Sequence, residues 1–392
     1  MNRKYLLVVP LSFIAFISLG LPDGLMGVAW PGISKEFAIP LDYAGILLLT
    51  SMGGYIVSSF FSPVITRKLG IGGLLAASCA LTATGLLFYG IASFWLIFIP
   101  FSFFLGTGAG AIDAGINTYI AQNHSERLMH WLHASFGIGI TIGPLIMTYG
   151  IRFTDTWRTG YYITAAAQFI LAIIFFMKRS QWEKPADNIA ETGKAETKDS
   201  SIMETLKIIP AYLSMLLFLL YTGVELGFGF WIFTLLTEAR GIDLQTAGVV
   251  TSLYWGSFTA GRVLAGLITK AVSGTKLLVL AMITAIAGLL LVILNLNSYA
   301  TISGAILLGF SLAPIFPGLV SDTEARVGRS HQANTIGMQL AAAGVGASAL
   351  PALAGMIAQK YSLEMIPITL FISLVLLFIC FILSHLFGRG KK

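Results

Sequence analysis

Charge is what this sequence is short of. Asp, Glu, Lys and Arg make up 11% of its 392 residues, against 56% hydrophobic ones, and the mean hydropathy is +0.83. A chain so poor in charge cannot hide its apolar side chains inside one or two water-soluble cores, so lipid is the solvent for most of it. Cysteine is scarce as well. Cys79 and Cys380 lie far apart inside apolar runs, with no Cys-x-x-Cys or Cys/His spacing, which excludes a disulfide framework and a zinc site and leaves two small core residues. There is no Walker A sequence, no Gly-x-Ser-x-Gly and no His-Glu-x-x-His. Direct drive by ATP, hydrolytic chemistry and a bound cofactor or metal are therefore not indicated, and the chain does not read as an enzyme. The 24 Lys and Arg exceed the 18 Asp and Glu, for a net charge of +6. They sit in short loops between apolar runs, which speaks against a nucleic-acid partner.

What the sequence does have is apolar runs. Taking roughly 20 residues as the length that crosses a bilayer, spans fall near 5–30, 42–66, 71–92, 94–121, 128–150 and 157–178, then 208–236, 244–269, 275–296, 298–321, 333–358 and 365–387. That is twelve, six on each side of a polar stretch. The opening Arg3-Lys4 and the run after it mimic a signal peptide, but the run contains Asp23 and is followed by many others, so it reads as a retained first span. Residues 179–207 alternate in charge sign, hold Pro185 and Gly193, and read as a linker with a short amphipathic helix near its end. The expected organisation is thus a bundle over 1–178, a linker over 179–207 and a bundle over 208–392. Arg67, Lys68, Arg127, Lys270, Lys276, Arg326, Arg329 and the Arg389/Lys391/Lys392 tail fall on the linker's side of the membrane, whereas Lys35, Arg152, Arg158, Arg240 and Lys360 fall opposite. The positive-inside rule then puts both termini and the linker in the cytoplasm of a multi-pass protein of the cell membrane.

The halves echo each other. Asp23 and Gly27, followed by Trp30, correspond to Glu225 and Gly229, followed by Trp231, at an offset of 225 − 23 = 202 residues. Gly137, Gly139 and Pro144 correspond to Gly344, Gly346 and Pro351 at 351 − 144 = 207, and Thr66-Arg67 to Thr269-Lys270 at 269 − 66 = 203. Glycine and proline are common in membrane helices and coincide by chance, but three agreeing offsets favour a repeat. A repeat of six spans in the same orientation predicts an all-α fold, with two pseudo-symmetric six-helix bundles related by an axis along the membrane normal and a central cavity.

In these features the chain resembles the major facilitator superfamily over essentially its whole length. Several segments resemble more narrowly its fucose permease group of sugar:proton symporters. They are Leu21-Pro22-Asp23-Gly24 running to Trp30-Pro31, the Gly106 to Gly110 run leading into Asp113 and Asn117, Trp131-Leu132-His133 leading to Gly143-Pro144, Gly223-Val224-Glu225 leading to Trp231, and Pro314 to Pro317. One departure stands out. The loop after span 2 reads Thr66-Arg67-Lys68-Leu69-Gly70 and lacks the aspartate of the superfamily's usual pattern. The resemblance implies alternating access, and it implies that the acids on spans 1 and 4, here Asp23 and Asp113, handle protons, with Glu225 matching an acid on span 7 of the group's relatives.

Asp23, Asp113, Glu225 and Arg262 lie well inside spans, where an ionised group costs on the order of 2.5–3.5 kcal/mol unless paired, hydrated or neutralised. Three carboxylates cannot all be neutralised by one arginine, so at least one carries a proton during part of a cycle. Gly106, Gly110, Asp113 and Asn117 recur at helical spacing and share a face, which packs closely on a neighbour, lines a cavity, or does both. Tyr221, Glu225 and Phe228 share a face of span 7 with Trp231 near it; span 8 offers Tyr254, Trp255, Phe258 and Arg262, and span 11 offers Gln339. Aromatic rings beside a carboxylate suit a sugar, which stacks its C–H face and hydrogen-bonds its hydroxyls, and suit an organic cation equally. His133 is a candidate relay or a simple helix-start contact, and Trp95, Trp157 and Trp182 read as anchors at the membrane interface. The expected function is proton-coupled symport of a small polar solute such as a sugar, by a monomer in the lipid bilayer. A proton-coupled exporter is the rival, because Gly139-x-x-x-Gly143-Pro144 partly matches the superfamily's antiporter signature, and a sensor without transport is a third class.

Overall fold

The computed structural model describes residues 5–123, 126–182, 200–268 and 274–388. Its helices are α1 (Tyr5–Glu36), α2 (Ala44–Ile91), α3 (Phe98–Asn123), α4 (Glu126–Thr154), α5 (Arg158–Met177), α6 (Ile202–Thr205), α7 (Ile209–Thr234), α8 (Leu244–Ile268), α9 (Gly274–Leu294), α10 (Ser298–Leu312), α11 (Ile315–Ser321), α12 (Thr323–Val327), α13 (Gln332–Lys360) and α14 (Met365–Gly388). No strand occurs among the described residues. Most of the expected linker, residues 183–199, lies outside them, as do Arg3, Lys4, Thr269, Lys270, Arg389, Lys391 and Lys392 and the side chains of Arg127 and His130.

Ten helical segments among the described residues are long and apolar enough to cross a membrane, against the twelve expected spans. Two causes account for the difference. Spans 2 and 3 run as one helix, α2, broken at Gly70, whose φ of 70° only glycine adopts without strain. Span 8 is α8, 25 residues long, but Gln245, Thr246, Thr251, Ser252, Ser257, Thr259 and Arg262 keep it too polar to qualify. At about 1.5 Å per residue it still has the length to cross. Span 10 is interrupted at Ala313-Pro314, because Pro314 and Pro317 remove amide donors, and it continues as α11. The short helix expected at the end of the linker is α6, closed by a capping box in which Ser201 accepts from the Glu204 amide and Glu204 accepts from the Ser201 amide. Those bonds hold the Glu204 carboxyl below its ordinary range.

The chain divides into two compact units. The first takes Met1–Asn188 with Ile232–Trp255; the second takes Ile189–Trp231 with Gly256–Lys392. In the first, α2 packs on α3 and α5, and α1 on α4; in the second, α9 packs on α10 and α14. The repeat read from the sequence reappears in this packing. A β-carbon at Gly139 would collide with the Ile17 carbonyl, and one at Gly346 with the Leu219 carbonyl. The partners are again 219 − 17 = 202 residues apart and the glycines 346 − 139 = 207. Thr222, at the place of Gly20, donates to the Ala343 carbonyl at 2.7 Å, whereas a β-carbon at Gly20 would collide with the matching Phe136 carbonyl. Gly139→Leu and Gly346→Leu should therefore each cost about 1–3 kcal/mol by overpacking. Gly337→Ala, which meets nothing within 4 Å, should stay within about 1 kcal/mol of the parent. Thermal melting in detergent separates the two classes.

Two expectations about aromatic anchors need correcting. Trp157 and Trp182 are buried rather than set at an interface with lipid. Trp157 donates to Glu36 Oε2 at 2.8 Å beside the Arg158–Glu36 ion pair, also at 2.8 Å, and Trp182 packs edge-on against Tyr119. Both indoles fill the gap where a helix end meets its neighbours, a position that sequence distance from a span end cannot tell from the lipid boundary. In the second unit Arg326 is 2% exposed, with Nη2 donating to the Leu319 carbonyl at 2.5 Å and Asp322 at 3.8 Å from Nε. Burial pulls its guanidinium down to about 10, against the opposing pull of Asp322. Asp322 also meets His385 Nε2 at 3.2 Å. Arg326→Ala should destabilise this unit by about 3–5 kcal/mol, since it strips a buried carbonyl and a partly buried carboxylate of their partner; a fall in melting temperature of the purified protein measures it.

Candidate functional site

The small residues of α3 decide where its carboxylate goes. β-Carbons at Gly106 and Gly110 would strike the carbonyls of Ser51 and Tyr55, so α3 lies backbone to backbone on α2, and Ser59 Oγ seals the contact by donating to the Gly110 carbonyl at 3.2 Å. Asp113 lies a turn further on, at this same seam. Its Oδ1 accepts from Asn117 Nδ2 at 2.8 Å, and its Oδ2 accepts from the Tyr55 hydroxyl. The packing reading of the stripe applies to its glycines, and beyond them the carboxyl and amide form a polar cluster with Tyr55. Tyr55 is the residue that sequence reasoning missed. The available signal was its phase on α2, which it shares with Ser51, Ser58 and Ser62, small residues that mark the face turned to α3.

Asp23, on α1, is exposed and lies within electrostatic range of both Asp113 and Tyr55. Neither Asp23 nor Asp113 has an ion pair among the described residues. The first unit therefore brings together two of the three expected acids with neutral hydrogen-bonding groups. His133 is exposed on α4 and packs edge-on against Phe16, two turns before Asp23 on α1. Tyr254 and Trp255, buried on α8, meet edge to face with ring centroids 4.9 Å apart.

The second unit holds the other charged group. Glu225 on α7 is 8% exposed, and its Oε1 stands 3.8 Å from Arg262 Nη2 on α8. That separation allows attraction but exceeds a hydrogen bond. Arg262 lies over the Phe258 ring at 4.3 Å, a cation–π contact, and its buried Nε has no hydrogen-bond partner among the described residues. Tyr221 donates to the Leu312 carbonyl at 3.1 Å and interacts with Glu225, and Phe228 is buried a turn beyond Glu225 on α7. Two expected substrate contacts turn up in packing positions. Trp231 is fully buried, its indole donating to the Pro351 carbonyl at 2.9 Å, and Gln339 is fully buried in a reciprocal pair with Thr323, at 3.0 and 3.2 Å. The glycines of the antiporter-like stretch also have a packing role, Gly139 and Gly143 lying against the Ile17 and Leu21 carbonyls of α1.

Comparison with known proteins bears on what such an arrangement serves. The sequence profile described as Major Facilitator Superfamily matches residues 11–319 and 234–391. "Bypass of stop codon protein 6" of Saccharomyces cerevisiae is 23% identical, over 100% of this chain and 86% of its own length. "Glucose/mannose transporter GlcP" of Bacillus subtilis is 21% identical over 78% of this chain and 77% of its own. "Sodium-dependent glucose transporter 1" of Homo sapiens is 22% identical over 92% and 75%. Among solved structures, the nucleoside transporter NupG superposes with a TM-score of 0.78 at 13% identity, over 98% of this chain and 100% of that one. A bacterial homologue of the lysosomal transporter Spinster, described as inward-facing and occupied, gives 0.73 at 12% identity over 99% and 97%. With apolar helices throughout and the profile spanning both halves, the chain belongs to the Major Facilitator Superfamily and is a multi-pass membrane transporter of small solutes, not an enzyme.

Proposed function

We propose that the chain is a proton-coupled symporter that works by alternating access and takes a hexose-like sugar inward across the cell membrane, as a monomer with both termini in the cytoplasm. The observation that carries the coupling is the Asp23–Tyr55–Asp113 cluster, in which neither carboxyl has an ion pair among the described residues and Asp113 accepts from the neutral donors Tyr55 and Asn117. Carboxyls so placed are neutralised by protons rather than by arginine. Glu225 is the third coupling acid, held in attraction by Arg262. Within the second unit, Glu225, Arg262 and Tyr221 with the rings of Phe228 and Phe258 supply what a sugar needs, polar contacts for hydroxyls and flat apolar faces for C–H bonds, and Asn117, Tyr254 and Trp255 offer the same kinds of group within the first. The names of the glucose-transporting relatives support the same cargo class. Import is preferred to export because Met147-Thr148 stand where the antiporter signature ends in two glycines.

Each pH unit across the membrane supplies roughly 1.4 kcal/mol per proton, and each 100 mV about 2.3 kcal/mol per charge. The test is radiolabelled D-glucose and D-mannose uptake into proteoliposomes, driven by an inward proton gradient without sodium and, separately, by a sodium gradient at equal pH. Accumulation in the first arm supports the proposal. Accumulation in the second alone would transfer the coupling to sodium, and proton release driven by a cationic dye would make the protein an exporter.

A further inference from the structure

We propose that the sugar this symporter carries bears a carboxylate, as a hexuronate does, and that Arg262 is the residue which recognises that carboxylate. This rests on the proton-coupled reading above and narrows its cargo.

Arg262 is a cation well inside α8 that makes no hydrogen bond. None of its five N–H groups meets an acceptor at hydrogen-bonding distance among the described residues. Glu225 attracts it from 3.8 Å, and the Phe258 ring, 4.3 Å away, offers a π face but no lone pair. Nε is covered, whereas the Nη1/Nη2 end is open on a side chain that is 27% exposed. A planar pair of N–H donors matches the two oxygens of one carboxylate, a fit that a single hydroxyl does not offer. Arg326 of the same unit shows the contrast. It is 2% exposed, and its Nη2 is already bound to the Leu319 carbonyl and the Thr323 hydroxyl, so no solute reaches it.

Charge counting points the same way. Within the spans of the second unit, Glu225 and Arg262 face each other alone. Lys276, Lys360 and His385 stand at helix ends, and Asp322, Glu324 and Arg326 lie at the short α12. With Glu225 ionised the pair is neutral. With the coupling proton on Glu225 the guanidinium keeps an unbalanced charge, and a carboxylate on the cargo restores neutrality. The empty pair and the pair loaded with both proton and anion are therefore neutral, whereas a proton alone leaves +1 and an anion alone leaves −1. An unbalanced charge is costly inside the membrane, so proton and sugar acid cross together or stay behind together. A neutral hexose would leave the protonated, loaded pair charged.

Equilibrium binding to the full-length protein in lipid nanodiscs tests this, with D-glucuronate, D-glucose and D-glucuronamide, which keeps the shape of glucuronate without its charge. At mildly acidic pH the parent should bind D-glucuronate at least about tenfold more tightly than either neutral sugar, the effect of a charge-assisted pair of hydrogen bonds. That advantage should fade as the pH rises and Glu225 ionises. Glu225→Gln should keep the advantage and lose its dependence on pH. Arg262→Lys, which keeps the charge without the paired donors, should retain only part of it. Arg262→Gln/Glu225→Gln strands no charge, and it should bind the three sugars with equal affinity. Equal affinity of the parent for glucuronate and glucuronamide, or an advantage undiminished in both Arg262 variants, would overturn the proposal. Failure of a proton gradient to drive uptake of any sugar would count against the coupled reading, whereas the binding comparison alone decides between an acidic and a neutral cargo.

Discussion

Asp23→Asn should abolish concentrative uptake while leaving exchange of labelled for unlabelled sugar across the membrane at a rate within a few fold of the parent's. Asparagine matches aspartate in size and polarity but neither takes up nor releases a proton, so the variant keeps its cargo contacts and loses its link to the gradient. In the parent, a one-unit pH gradient with one proton per sugar supports roughly tenfold accumulation. In the variant the inside and outside concentrations should become equal. Counterflow and gradient-driven uptake, measured on the same vesicles, check the two halves of this result; a variant that still accumulates sugar would remove Asp23 from the coupling path.

Much of this architecture was legible because lipid imposes it. An apolar run long enough to cross and not part of a closed barrel has to be a helix, so the helices follow from counting, although ten rather than twelve qualify as spans among the described residues. The offsets of 202 and 207 residues were legible too, and they reappear as glycine-to-carbonyl contacts at Gly139 and Gly346. Gly70 was visible as a glycine but not as the only break between two spans of one continuous helix, because a positive φ leaves no mark on hydropathy. The site was legible in its charges and illegible in their partners. An acid inside a span declares itself by its cost, whereas Tyr55 looks like any membrane tyrosine until its hydroxyl is placed against a carboxyl 58 residues away. Trp231 and Gln339 misled for the converse reason. Polar atoms in an apolar run suggest cargo, yet a backbone carbonyl or a threonine on the next helix satisfies them equally well.

The pair in the second unit is where stability and transport should separate most sharply. Arg262→Met keeps the apolar stem over Phe258 but removes the guanidinium, and with it the ion pair to the buried Glu225 carboxyl. Breaking a fully buried pair from one side costs about 3–5 kcal/mol, and the 27% exposure of the arginine side chain with the 3.8 Å separation puts this one nearer about 2–3 kcal/mol. Glu225→Gln on that background removes the stranded charge and should restore most of the loss, because deleting both members of an ion pair is close to neutral. Transport should not recover with it. If the guanidinium and carboxylate bind cargo hydroxyls, Arg262→Met/Glu225→Gln should fold like the parent and still carry sugar at least about 100-fold more slowly, the effect of losing two charge-assisted hydrogen bonds. A double-mutant cycle of melting temperature against initial uptake rate makes the comparison. Recovery of both together would reduce the pair to a structural tie between α7 and α8, and recovery of neither would show that the loss in Arg262→Met does not come from breaking its ion pair with Glu225.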